Sequence, residues 1–258
     1  MPARARYLQP PSPAEGRLPE VTSASDRVRD EWLRRVEAEY RSAAMTQHLV
    51  LWLIQIGASP DLITAGLRIV KDELMHASLS FRTYRAAGGS AGPTLARESL
   101  ELWRSAGEPL EHDVARTCVE TFCLGETVAV PLFHHLRQEC TETSARRALD
   151  RILRDEVRHR DFGWMLLGWL LEQPLAGALR SLIHRELPSM LARQRASYAP
   201  AGSEAQTTIA PADRAWGLMA PALYGAVLAR AVERDYAPRF AKLGFALELA
   251  VTSPSAGS

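Results

Sequence analysis

Along most of the chain the apolar positions recur with the period of an α-helix, and the pattern resolves into long helices separated by glycine and proline. A stripe of Trp32, Val36, Tyr40, Ala43, Val50, Leu53 and Ile54 predicts a first helix that begins at Ser25 or Asp26 and stops at Gly57. Ser59-Pro60-Asp61 supplies an N-cap, a first-turn proline and an acid suited to the positive helix end, so a second helix starts there and runs to Gly88-Gly89. Residues 88 to 108 are long enough for a crossover, with a short helix expected around Leu95 to Arg104. A third helix runs from about Leu110 to Glu139, and Gly125 and Pro131 inside it predict a kink or π-bulge. Thr143 or Ser144 caps a fourth helix that ends near Pro174. Leu175 to about Leu247 also reads as helical, with breaks expected at Pro188, from Ala199 to Pro211, and at Pro221. Strand signals are absent, so the expected class is all-α: a four-helix bundle with a long crossover and additional C-terminal helices.

This pattern divides the chain into a flexible arm at residues 1–24, a single helical domain at 25–250 with a four-helix core at 26–173 and extra helices at 175–247, and a polar tail at 251–258. With 258 residues and 47% hydrophobic content the chain can bury a large core. A net charge of +1 gives no field for nucleic acid or an acidic membrane surface. The longest apolar run, Phe162 to Leu171, is too short to cross a bilayer. Cys118, Cys123 and Cys140 are odd in number and no cleavable apolar leader precedes them, so a reduced, cytoplasmic protein is expected. No Cys-x-x-Cys is present, which excludes a built-in rubredoxin-like iron site. Beyond His159 the fourth helix is apolar almost all round, which calls for cover by the extra helices or by a second subunit in a homodimer.

The chemistry lies in a repeated motif. Asp155-Glu156-Val157-Arg158-His159 echoes Asp72-Glu73-Leu74-Met75-His76, and in each the Glu and His three positions apart are neighbours on one helical face. A single Glu-x-x-His is expected by chance roughly half a time in a chain with this many Glu and His; two copies, each preceded by Asp, are far rarer. Both copies interrupt apolar runs, where a carboxylate is costly to bury without a cation. Two such pairs leave a dimetal site short of oxygen donors, which the other two long helices should supply. In the first helix Glu39 lies in the apolar stripe, whereas Glu37 shares a face with Arg41 and His48. In the third, Glu126 falls on the face of Ala115, Val119, Phe122, Val130 and Phe133, whereas Glu120 sits nearer Arg116. Glu39 precedes Glu73 by 34 positions and Glu126 precedes Glu156 by 30, enough for each helix to reverse and return to the same height. His48, His112, His134, His135 and His184 lack partners at ligand spacing, and Arg158 reads equally as an ion-pairing group or a surface residue.

Glu39, Glu73-x-x-His76, Glu126 and Glu156-x-x-His159 together resemble the ferritin-like di-iron carboxylate superfamily, which includes bacterioferritin, rubrerythrin, the ribonucleotide reductase small subunit and soluble methane monooxygenase. The resemblance covers roughly residues 26–173 and implies a ferritin-like bundle holding two iron ions, with Glu73 and Glu156 as bridges; manganese suits the same ligands. Its pseudo-twofold implies that Asp155 pairs with His76 and Asp72 with His159, fixing each imidazole. It further implies an oxygenase or oxidase that activates dioxygen to oxidise a small organic substrate, or, in a second reading, ferroxidase or peroxidase chemistry in iron handling. A third reading is a metal-free helical scaffold. No redox module is visible in the chain, so the enzyme reading needs an external electron donor, a ferredoxin or reductase. Three positions depart from well-known members: Ser80 stands where a radical tyrosine is expected, Ile152 where arylamine N-oxygenases add a histidine, and Val130 where methane monooxygenase has a threonine. Ala43, Val50, Phe122, Val130, Phe133, Ile152 and Gly163 are expected to wall the site, with the small residues at 43 and 163 leaving room beside the metals.

Overall fold

Ser25 and Ser59 each accept a hydrogen bond from a backbone N–H three residues on, Val28 at 3.2 Å and Leu62 at 3.4 Å, and so begin the first two helices. These are α1 (Asp26–Gln55) and α2 (Pro60–Ala86), joined by a tight reversal in which Gly57 takes a φ of 71°. The computed structural model describes residues 24–247, so the expected arm up to residue 23 and the tail at 251–258 lie outside the described residues. Ala24, assigned to that arm, is buried and belongs with the folded part.

A crossover follows α2, with a single 3-10 turn at Arg97–Leu100 in place of the expected short helix. The third long helix is continuous but not uniform: α3 (Leu110–Thr117) passes into a π-helical segment, Cys118–Glu126, and then into α4 (Thr127–Gln138). The irregularity foreseen from Gly125 and Pro131 is therefore a two-turn π stretch that ends on Glu126. After it comes α5 (Thr143–Leu170), whose preceding residue, Glu142, makes no side-chain cap. Instead the N–H groups of Thr141 and Glu142 both donate to the Ala215 carbonyl at 2.9 Å, so the start of α5 is held by tertiary contact, not by Thr143 or Ser144.

Helices α1 and α2 form one antiparallel pair and α3–α4 with α5 the other; α2 packs on α5 and α3 on α1, which closes a four-helix bundle. Two glycines mark close approaches. A Cβ on Gly66 would lie 2.7 Å from Val50 Cγ2, and one on Gly163 would lie 2.5 Å from Phe122 Cβ and 2.9 Å from the Phe122 carbonyl carbon. Gly163 thus brings α5 against the π segment and does not leave the open space expected at this position. Because backbone opposes the new methyl, Gly163→Ala is expected to cost about 1–3 kcal/mol, read as a lowered melting temperature.

The last third is helical: α6 (Ala176–Tyr198), α7 (Pro211–Ala215), α8 (Pro221–Ala231), a short π stretch at Val232–Tyr236, and α9 (Ala237–Lys242). The breaks expected from Ala199 to Pro211 and at Pro221 are present, with Pro211 and Pro221 each opening a helix, but α6 runs through Pro188 without a break. Both Pro188 and His184, whose carbonyl the proline leaves unpaired, lie on the exposed face, where water can satisfy that carbonyl. These elements cover the far half of α5: Trp164 packs edge-on against Phe240 at 4.9 Å, with the Arg239 guanidinium 5.5 Å above its ring. Tyr236, fully buried, donates its hydroxyl to the Leu124 carbonyl of the π segment at 2.6 Å. No helix among the described residues is long and apolar enough to cross a membrane.

Candidate metal centre

The six side chains singled out by spacing converge in the middle of the bundle, and all are buried: Glu39 on α1, Glu73 and His76 on α2, Glu126 at the end of the π segment, and Glu156 and His159 on α5. Glu73 reaches both histidines, with Oε2 3.4 Å from His76 Nδ1 and Oε1 3.5 Å from His159 Nδ1. Glu156 does the same from the opposite side, with Oε1 3.8 Å from His76 Nδ1 and Oε2 3.6 Å from His159 Nδ1. The two rings stand 5.7 Å apart, each presenting Nδ1 to the carboxylates. Glu39 Oε2 lies 3.7 Å from His76 Nδ1, and Glu126 joins Glu73 and His159 in a second group whose donor atoms fall within 4.8 Å of one another.

The outer nitrogens face aspartates across the bundle. His76 Nε2 lies 3.2 Å from Asp155 Oδ2 and His159 Nε2 lies 3.6 Å from Asp72 Oδ2, the crossed arrangement. With the proton on Nε2 toward the aspartate, Nδ1 turns its lone pair to the cluster. Arg158 ties the two halves together, donating to Asp72 at 2.9 Å and also to Asp155, while Arg151 donates to Asp155 and lies 3.6 Å from Asp72. Arg158 is therefore part of the site's support. Arg151 was not anticipated, although its position one turn before Asp155 is a legible signal. Ser42 adds a hydroxyl donated to Glu73 Oε1 at 2.7 Å.

The rejected alternatives lie elsewhere. Glu120 forms a two-pronged ion pair with Arg193 on the surface, at 2.6 and 3.0 Å. Glu37 is not in a solvated ion pair; it accepts from the Thr94 N–H at 2.8 Å and pins the crossover. Replacing Glu120 by Ala is expected to change stability by no more than about 1 kcal/mol and to leave metal content unchanged, as measured by elemental analysis alongside a melting curve.

Electrostatics show what the cluster lacks. Burial pushes Glu126 well above the ordinary carboxylate range, and the negative charges of Glu156, Glu73 and Glu39 push it further. Burial likewise lifts Glu39 to about 8, offset in part by its contact with His76. For Glu73 the burial penalty is outweighed by its approach to His76 and the charge of His159, which bring it to about 2. Burial would lower both imidazoles, yet the surrounding acids raise His76 to about 11 and His159 to about 10. Four carboxylates thus share an interior in which two imidazoles are the internal counter-charge among the described residues. Glu73 Oε2, Glu156 Oε2 and both Nδ1 atoms are fully buried with no hydrogen-bond partner among the described residues. Acceptors left unpaired and aimed at one another fit divalent cations of the iron or manganese kind.

Of the expected apolar wall, Ala43, Val50, Phe122 and Ile152 are buried near the cluster, while Val130 and Phe133 are partly exposed. Phe133 instead lines a cavity of about 660 Å³ between α1, α4 and the last third, as do Ala38, next to Glu39, and Ala129, three residues beyond Glu126. Tyr198, at the end of α6, also lines it. Burial raises the Tyr198 phenol above its usual range, and the charges of Glu126 and then Glu156 raise it further. Nothing local in the sequence marks Tyr198, because it comes from a helix outside the bundle.

The bundle, its crossover and a central carboxylate-histidine cluster define a ferritin-like fold built around a candidate metal site. Among solved structures the chain is similar to protein 19 with aldehyde deformylating oxidase activity from Synechococcus, at a TM-score of 0.54 and 18% identity, over 87% of this chain and 94% of that one. That extent reaches beyond the four-helix core into the last third. No protein-family model and no curated protein sequence matches the chain.

Proposed function

We propose that this protein is an oxidoreductase that holds two iron ions between Glu39, Glu73, His76, Glu126, Glu156 and His159 and uses dioxygen to oxidise a small organic substrate. The observation that carries the reading is that Glu73 and Glu156 each reach both histidines, so one pair of carboxylates serves two adjacent positions. Bound there, an iron pair supplies redox chemistry toward dioxygen. The chain's own part is to hold and shield. Glu39 and Glu126 complete the two ends of the cluster; Asp155 fixes the tautomer and angle of His76, and Asp72 stands 3.6 Å from His159 Nε2, both aspartates held by Arg151 and Arg158. Val50, Phe122 and Ile152 keep water from the interior.

The oxidase activity of the Synechococcus neighbour supports this reading, and manganese in place of iron remains compatible with the same donors. In this reading a ferredoxin or separate reductase supplies the electrons. The three buried, unpaired cysteines suit a reducing compartment such as the cytoplasm. A cavity between α1, α4 and the last third of the chain, lined by Ala38 next to Glu39 and by Ala129 three residues beyond Glu126, favours a small organic substrate over iron as the substrate. To test this, the iron-loaded protein is reduced anaerobically and oxygen is admitted. Oxidation that stops at about two Fe(II) per chain is the expected result; turnover of many equivalents with a growing ferric mineral would establish iron handling instead.

A further inference from the structure

The 660 Å³ cavity is lined by both charged and apolar side chains. Among the described residues the charged ones lining it are Arg27, Arg34, Arg35, Arg41 and Glu31, which leaves a net charge of +3 (four arginines less one glutamate). Glu31 is already shared between Arg34 and Arg35. Arg27 and Arg41 are exposed, with no acidic partner among the described residues. The apolar part of the lining includes Ala38, which precedes Glu39 on α1, and Ala129, Leu132 and Phe133 on α4, the helix that follows Glu126.

Arg35 is the unusual member. It is only 7% exposed and its guanidinium is held in place: Nε pairs with Glu31 at 3.2 Å, Nη2 donates to the Gly217 carbonyl at 3.0 Å, and the plane lies 4.4 Å from the Trp32 ring centre. Nη1 is buried and makes no hydrogen bond among the described residues, and the guanidinium also acts on the Tyr224 phenol, which lines the same cavity. A buried arginine that leaves donors unmade is costly, and the cost falls when an anion supplies the acceptors. Its position is also apt, since Arg35 precedes Glu39 by one helical turn, about 6 Å along α1.

We infer that the cavity binds a small organic acid, its carboxylate at Arg35 and its apolar body against Ala129, Leu132 and Phe133, pointing toward the cluster. The inference rests on the oxidation reading for its purpose, but the binding itself does not need metal. A fixed carboxylate would place the bond to be oxidised a few carbons away and would exclude neutral analogues, because they leave Arg35 unpaired.

Octanoate and 1-octanol, matched in length, are the probes, titrated calorimetrically into the full chain with and without iron. Octanoate is expected to bind at least about tenfold tighter than octanol in both forms. Arg35→Gln should remove that preference while Ala129→Phe, which fills space at the apolar part of the lining, should abolish octanoate binding without lowering the melting temperature by more than a few degrees. Should Arg35→Gln fail to fold, the Ala129→Phe result decides alone. Equal binding of the two probes, no binding of octanoate, or octanoate affinity unchanged in Ala129→Phe would overturn the inference. Bound iron without an octanoate preference would sink the pocket assignment only. An octanoate preference in a protein that takes up no iron would sink the oxidation reading only.

Discussion

Glu126→Gln is expected to make the metal-free protein more stable and at the same time unable to hold its metal pair. Glu126 is buried beside Glu156, Glu73 and Glu39, and burial first and those charges second oppose its ionisation. Its folded pKa lies above the unfolded value, so at neutral pH the native state pays for either a proton or an uncompensated charge. An amide of the same shape removes that penalty, by at least about 1 kcal/mol, which for a chain of this size is about 2–4 °C in melting temperature. Metal affinity should move the other way, falling at least about a hundredfold at the site of Glu126, Glu73 and His159, because a neutral amide replaces an anionic donor. Differential scanning calorimetry of the metal-free protein and iron titration of the same preparation measure the two effects. A purely structural Glu126 would lower the melting temperature on replacement and leave no trace in the metal titration.

Trp32→Ala is expected to be the most destabilising single change in α1, at about 3–5 kcal/mol. The indole is fully buried, its N–H donates to the Trp216 carbonyl at 3.0 Å, and Arg35 stacks on its face. Truncation leaves both a large cavity and an unpaired carbonyl, and it severs a tie between the bundle and the last third of the chain. If residues 25–250 form a single domain, as we propose, helix content and buried-aromatic signals should be lost together, at a melting temperature lower by about 6–20 °C. Separation into two transitions would show that the last third folds apart from the bundle.

How far each of these residues could be foreseen differs for a physical reason. The helix starts at Ser25, Ser59, Pro211 and Pro221 follow from local backbone chemistry and were legible in the chain. So was the inward direction of Glu39 and Glu126 over Glu37 and Glu120, because the face of a helix that carries Val36 and Ala43, or Val119 and Phe122, must be the buried one. The spacing of Glu73 with His76 and Glu156 with His159 likewise survives folding unchanged, since three residues on a helix are neighbours whatever surrounds them. Pro188 misled because a proline ends a helix only where its freed carbonyl cannot reach water, and exposure is a tertiary property. Gly163 misled because a missing side chain leaves space only if nothing else approaches, and the backbone of the π segment does. The joining of Asp72 and Asp155 by Arg158 and the hydrogen bond from Arg35 to the Gly217 carbonyl pair residues on different elements. Such contacts leave no periodic mark in either partner's own sequence, so the candidate donor set was written locally, whereas its aspartate–arginine support exists only once α2 packs on α5, and the cavity only once the last third has docked onto the bundle.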